Sequence, residues 1–310
     1  MENKERRGAT VREGCYFTNH RAIFQMTPRI LVTGSNGQLG MCIKDLESKK
    51  FNIQYVNSTQ LDITNRQQVK NFFKENKIDW CINCAAYTAV DNAESDYDKA
   101  YEVNVLGVKN LAESCKEYSI KLIHISTDFV FDGNNNIPYK ESDQTKPIGA
   151  YGETKLKGEK EVTQIIKEYF IIRTSWLYSE HGSNFLKTML RLSKDRNKLG
   201  VVGDQIGTPT YAKDLAETIL YIIENDFSNY GLYHYSNNGV ASWYDFAKAI
   251  FDISSIEIQL DNISTKQFPT PAKRPHFSVL DKTKAETSFN TRIPYWRDSL
   301  EIAIQNLKNE

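Results

Sequence analysis

The residues Thr33-Gly34-Ser35-Asn36-Gly37-Gln38-Leu39-Gly40 follow directly on the apolar run Arg29-Ile30-Leu31-Val32 and lead into QLGMCIKDLES, which reads as a helix. Glycines three residues apart in a strand-to-helix turn restrict the fold more than any other feature of the chain. Gly34 permits a tight turn that a side chain would block. Gly37 lets backbone amides approach a pyrophosphate, and Gly40 lets the helix pack close to the strand. The helix N-terminus then turns free N–H groups and the positive end of its dipole toward the phosphates. Glycines also make ordinary turns, so the pattern carries weight only with a strand before it and a βαβ series after it.

Such a series follows. Apolar strands are expected at 29–34, 51–56, 78–86, 120–126 and 169–178, with helices between them, one capped by Thr64 and one long helix over about 98–118. This alternation predicts an α/β fold: a Rossmann-type doubly wound parallel sheet with helices on both faces. Beyond it the strands thin out, which predicts a smaller C-terminal α/β lobe over the mouth of the sheet. The expected division is a dinucleotide-binding domain over 27–175, rejoined by segments near 199–232, and a substrate-binding lobe over 176–198 and 233–310. Residues 1–26 are charged and lack an apolar core, so they are not a secretory signal and are expected to be a disordered tail or an upstream start.

Composition limits the partners. Lys plus Arg and Asp plus Glu stand at 39 each, a net charge of zero, which argues against nucleic acid. No apolar run reaches the roughly 20 residues that cross a bilayer, so no membrane association is expected. The five cysteines, at 15, 42, 81, 84 and 115, are an odd count and fit a reducing, cytoplasmic setting. Cys81 and Cys84 form a CxxC, but inside a strand, where residues three apart point to opposite faces. No second pair completes a zinc site.

The cofactor's phosphate state is left open. An acidic residue usually ends the second strand and holds the adenosine ribose. Here Asn57 takes that place, and Asp62 and Ile63, farther on, are placed beside the adenine. Either NADPH or NADH is compatible with this pattern.

The stretch Gly149 to Lys160, GAYGETKLKGEK, sets Tyr151 and Lys155 one helical turn apart. A free tyrosine has a pKa of about 10. An ammonium beside it favours the phenolate and makes the proton more labile. A hydroxyl able to bind a reacting carbonyl is offered by Ser126 or Thr127, at the C-terminal end of a strand, the edge where open α/β sheets hold ligands. The plain alternative is a packed Tyr–Lys pair on a solvated helix. The glycine turn and the hydroxyl-bearing strand end favour the proton-donating reading.

The ordered set TGSNGQLG, NVLG, STDFVF and YGETK resembles the extended short-chain dehydrogenases/reductases. CAAYTAVDNAE, RTSWLY, VVGDQIGTPT, GLYHYS and PTPAKRP narrow the resemblance to the dTDP-4-dehydrorhamnose reductase family, from about residue 27 onward. The resemblance implies reduction of the C4 keto group of a dTDP-4-dehydro-6-deoxy sugar by NAD(P)H. It makes Tyr151 the proton donor, Lys155 the nicotinamide-ribose ligand that lowers the tyrosine pKa, and Thr127 the group that orients the carbonyl. It puts Gly37, Gln38 and Leu39 on the pyrophosphate and Ala85, Ala86 and Tyr87 along the cofactor. Thr88, Val90, Asp128 and Trp176 then face the sugar nucleotide, with Arg274 a candidate for its diphosphate. Asn104, in NVLG, is placed with the cofactor-binding residues, and in short-chain enzymes the Asn of this motif props the active-site helix. Phe129 departs from the tyrosine common in the family. Some members bridge a homodimer through magnesium with a glutamate of the first helix. Cys42 and Ile43 occupy that region here, so no metal is expected, and a homodimer stays open. Two other readings stand beside this one. The first is a non-catalytic subunit like the regulatory subunit of methionine adenosyltransferase. The second is an epimerase or dehydratase on the same scaffold, and the latter would be expected to add acidic residues beside the catalytic hydroxyl.

Overall fold

A computed structural model describes residues 27–309. The expectation for residues 1–26 lies outside them. The first half runs β1 (Arg29–Thr33), α1 (Gln38–Asp45), β2 (Asn52–Val56), α2 (Arg66–Glu75), β3 (Trp80–Asn83), the short turns α3 (Val90–Ala93) and α4 (Tyr97–Tyr101), α5 (Val108–Glu117), β4 (Lys121–Thr127), α6 (Ala150–Ile165) and β5 (Tyr169–Thr174). The second half runs β6 (Leu177–Tyr178), α7 (Phe185–Leu192), β7 (Lys198–Val202), β8 (Ile206–Gly207), β9 (Thr210–Tyr211), α8 (Ala212–Glu224), β10 (Gly231–His234), β11 (Ala241–Ser242), α9 (Trp243–Ser254), β12 (Gln259–Ile263), α10 (Thr283–Phe289) and α11 (Trp296–Asn309).

Six strands form one parallel sheet in the order β10-β5-β4-β3-β1-β2. The order reverses at β1, which has β2 on one side and β3 on the other. That reversal opens a crevice at the carboxyl ends of β1 and β3. The central strands are continuous apolar runs because helices cover both faces. Ile30, Val32 and Ile82 pack with Ile43 of α1 and Ile219 of α8. Leu31 and Cys81 pack on the other face with Leu111 of α5 and Val162 of α6. Fully burying each such side chain contributes roughly 1.5–3 kcal/mol.

The later segments divide between the two units. Helix α8 packs on α1, and β10 joins the sheet beside β5. Strand β7 instead pairs with β12, away from the sheet. Helices α7, α9 and α11 gather a separate core around Tyr178, Leu186, Phe246 and Leu300. Three local expectations are adjusted. Asn65, not Thr64, caps α2 by accepting from the Gln68 N–H at 3.0 Å. The strand read as 78–86 is regular only over Trp80–Asn83. The helix read over 98–118 is interrupted by a π-helical turn, Glu102–Gly107, between α4 and α5. Among the described residues, no helix is long and apolar enough to cross a membrane.

Candidate active site

The crevice at the sheet's carboxyl edge opens into a cleft of about 940 Å³ between the sheet and the smaller lobe. All the candidate cofactor, substrate and proton-transfer residues named above line it except Asn104.

The cofactor side is built by close backbone approach. Gly34 sits at φ +65°, and a Cβ there would lie 2.5 Å from the Ala85 nitrogen. The ends of β1 and β3 can meet only around glycine. A Cβ on Gly40 would stand 2.6 Å from the Ser35 Cα, so α1 could not start so close to the strand. Gly37 is the N-cap of α1 and offers no side chain to its free N–H groups. They remain for a ligand, and this cradle fits a pyrophosphate. Gln38 does something the sequence did not announce. Its side chain crosses to the other half, donating to the Leu177 carbonyl at 3.4 Å and accepting from Asn184 at 2.9 Å and Ser179 at 3.2 Å.

At the end of β2, Asn57 Oδ1 accepts from the Thr59 N–H and hydroxyl and from the Gln60 N–H. Asp62 Oδ1 is held in the same way by the Thr64 N–H and hydroxyl. Ile63 packs into the core beneath.

Asn104 is fully buried on the π turn and does not reach the cleft. Its Oδ1 accepts from the Tyr87 N–H at 2.9 Å, and its Nδ2 donates to the Tyr87 carbonyl at 3.2 Å and to Thr154 Oγ1 at 3.1 Å. It ties the Ala85–Thr88 stretch to α6. A π turn displaces side chains from regular helical phase, and such turns recur at functional sites.

Helix α6 presents Tyr151 and Lys155 to the cleft. The Tyr151 ring meets Phe129 edge-on at 5.6 Å. Lys155 is only 2% exposed and donates from Nζ to the Ile125 carbonyl at 2.6 Å. Thr127 closes β4 and accepts from the Phe129 N–H at 3.2 Å while donating to Asp128 Oδ1 at 3.1 Å. Asp128 is buried, and its Oδ2 has no partner.

Burial dominates the electrostatics. Desolvation pushes the Tyr151 phenol up to about 12, with the Asp128 charge adding to the rise and the Thr127 hydroxyl opposing it. The burial of the phenol itself therefore outweighs the lowering expected from Lys155. Lys155 is pushed down to about 8 by burial, against the pull of Glu159 and Cys84. Asp128 is pushed up to about 6 by burial, opposed by the Ser278 and Thr127 hydroxyls.

The far wall is aromatic. Trp176 adopts φ +48°, a left-handed backbone that a bulky residue rarely takes. Its ring lies flat on Trp243 of α9, which also lines the cleft. Trp243 escaped sequence reading because its position matters only through the fold. A Cβ on Gly207 would strike the Trp176 indole at 2.7 Å. Arg274 reaches the cleft, but its guanidinium sits bidentate on Asp91 of α3, at 2.8 and 3.0 Å.

Comparison with known proteins agrees with this architecture. The sequence model of the family described as the RmlD substrate binding domain matches residues 28–309. A dTDP-4-dehydrorhamnose reductase of Aggregatibacter actinomycetemcomitans is 42% identical over 284 residues, spanning 88% of this chain and 97% of that protein. A crystal structure of a dTDP-4-dehydrorhamnose reductase from Clostridium acetobutylicum superposes with a TM-score of 0.88 at 44% identity, covering 90% of this chain and 99% of that one. One from Bacillus anthracis, in complex with NADP, gives 0.88 at 40% identity, covering 91% and 100%.

Proposed function

The chain belongs to the dTDP-4-dehydrorhamnose reductase family, and on that premise we infer that it reduces the C4 keto group of dTDP-4-dehydro-L-rhamnose to give dTDP-L-rhamnose. It is an NAD(P)H-dependent oxidoreductase. The roles of individual residues are our proposal. The observation that carries them is the meeting of Tyr151, Lys155 and Thr127 in the cleft above the Gly34–Gly40 turn.

The free N–H groups at the start of α1 hold the pyrophosphate. Bound NAD(P)H supplies the hydride. Tyr151 donates its phenolic proton to the oxygen developing at C4. A phenol raised to about 12 keeps that proton at neutral pH until a stronger base, an alkoxide, forms beside it. Lys155 binds the nicotinamide ribose and steadies the phenolate left behind. The Thr127 hydroxyl, fixed by the Phe129 N–H, turns its proton from Asp128 to the substrate carbonyl and so holds that carbonyl in line. The unpartnered Asp128 Oδ2 accepts from a sugar hydroxyl, and Trp176 stacks against the sugar nucleotide. Arg274 contacts the diphosphate by exchanging Asp91 for it. We further propose that the cofactor unit spans 27–175 with α8 and β10, that the protein works in the cytoplasm, and that it forms a homodimer.

The test follows oxidation of NADPH or NADH with dTDP-4-dehydro-L-rhamnose. Tyr151→Phe is expected to lower kcat by roughly 10²- to 10⁴-fold with little change in cofactor affinity. Unchanged turnover would remove Tyr151 from its role. No turnover by the unaltered protein with either cofactor would favour the regulatory-subunit reading.

A further inference from the structure

Behind Lys155, on the side away from the cleft, lies a set of buried charges that the reaction as described does not use. Glu159 follows Lys155 by one turn of α6, and Arg173 faces it from β5. Glu159 is 5% exposed and Arg173 3%. The guanidinium grips the carboxylate with both arms, Nε on Oε1 at 2.8 Å and Nη2 on Oε2 at 2.7 Å. The Ser126 hydroxyl, next to Thr127 in β4, donates to the same Oε1 at 2.5 Å. The chain continues outward. Arg173 Nη1 meets His234 Nε2 at 3.4 Å, and His234 Nδ1 meets the Tyr139 carbonyl at 3.0 Å, while Phe131 lies under the guanidinium.

We propose that Glu159, clamped by Arg173 and Ser126, is a positioning residue that fixes α6 against β4 and β5 and so holds Lys155 on the Ile125 carbonyl beside Tyr151. This rests on the roles given above to Tyr151 and Lys155. The geometry supports it in two ways. First, α6 is pinned from opposite sides: Thr154 and Gly158 meet Asn104, and a Cβ on Gly158 would stand 2.2 Å from the Asn104 carbonyl oxygen. On the other side Glu159 ties the helix to β5 by its ion pair with Arg173 and to β4, the strand of Ile125 and Thr127, by the Ser126 hydroxyl. Second, Glu159 supplies the carboxylate that draws Lys155 upward against its burial. The other groups facing Lys155 do not replace it. Tyr151 on α6 keeps its proton, Cys84 after β3 is a thiol pushed further up by burial, and His124 on β4 is held neutral by burial and by Lys155 itself. Arg173 would repel the ammonium if its carboxylate partner were gone.

The experiment is the pH profile of kcat/KM for sugar-nucleotide reduction, with fold checked by circular dichroism. Glu159→Gln is expected to move the alkaline limb to lower pH by about one unit or more, and to lower kcat roughly ten-fold at neutral pH. Because that change strands a buried guanidinium, the double variant Glu159→Gln with Arg173→Met is measured beside it. Removing both members of a buried pair is often neutral for stability. The double variant is expected to shift the limb in the same direction, by less. A folded variant with the parental limb and parental kcat overturns the proposal. So does a double variant that cannot fold, since the pair would then be a brace for the fold alone. Tyr151→Phe in the same assay separates the two levels: if it retains turnover, the roles of the cleft residues fail, whereas an inactive Tyr151→Phe with an unmoved Glu159→Gln limb removes only this proposal.

Discussion

Trp176 lies flat on Trp243, ring centroids 3.6 Å apart and planes 8° from parallel, so one wall of the cleft is a double indole slab built from both halves of the second lobe. Phe185 supports it from α7, 4.7 Å from Trp243. A stacked aromatic pair is worth about 0.5–1.5 kcal/mol beyond its buried area. Trp243→Ala is therefore expected to raise KM for the sugar nucleotide about three- to ten-fold while leaving kcat and cofactor affinity near parental values. Initial-rate kinetics in both substrates check this. A kcat loss without a KM change would place Trp243 nearer the chemistry than this wall.

Activity and stability are expected to part company above neutral pH. Lys155 acts as an ammonium, so turnover should fall as pH rises through about 8. For stability the sign is opposite. Between about 8 and the ordinary 10.5 the folded chain has released a proton that the unfolded chain still binds, so this residue makes unfolding harder as pH rises. Denaturant melts of the parent and of Lys155→Met across that window test it. The pH dependence assigned to this site should vanish in the variant.

Cofactor choice should be adjustable at one position. Asn57 ends β2 without a formal charge, and its Oδ1 is already committed to Thr59 and Gln60. Asn57→Asp keeps those acceptor contacts and adds a negative charge where a 2′-phosphate would lie. The ratio of kcat/KM for NADPH over NADH is expected to drop about ten-fold or more, measured with each cofactor at fixed sugar nucleotide. An unchanged ratio would move the phosphate away from Asn57.

Glu94 should matter although it touches no reactant. Gly149 begins α6 without a capping side chain, and Glu94 Oε1 accepts the Ala150 N–H at 2.9 Å. Glu94→Ala removes this cap, a loss of about 1 kcal/mol, at the turn that carries Tyr151. A several-fold fall in kcat is expected, with Glu94→Gln restoring most of it because its amide oxygen still accepts. Equal losses in both variants would mean that charge, and not the cap, is what counts.

The parts of this site that could be read in advance are those written in local spacing. The glycine turn, the strand–helix alternation, the Tyr151–Lys155 interval and the Ser126–Thr127 strand end all lie within short windows. What escaped reading depends on distant partners. Trp243 joins the cleft only because α9 packs beneath Trp176. The Gln38 side chain is spoken for by Leu177, Ser179 and Asn184, roughly half the chain away. Periodicity caught the helical character of 98–118 but not its change of step at Glu102–Gly107, since apolar spacing hardly separates an α turn from a π turn. The tyrosine's acidity went the other way from the sequence expectation because a side-chain list shows neighbours and not the water they lose.

That change of step has a further consequence. Regular α geometry would suit residues 102–107 better as a helix, yet it would swing the Asn104 amide away from the backbone of Tyr87 and the hydroxyl of Thr154. Shortening this segment by one residue would tidy the helix and, in the same stroke, untie the cofactor floor from the tyrosine's scaffold. Here the most comfortable backbone and the most useful one are different, and the chain carries the useful one.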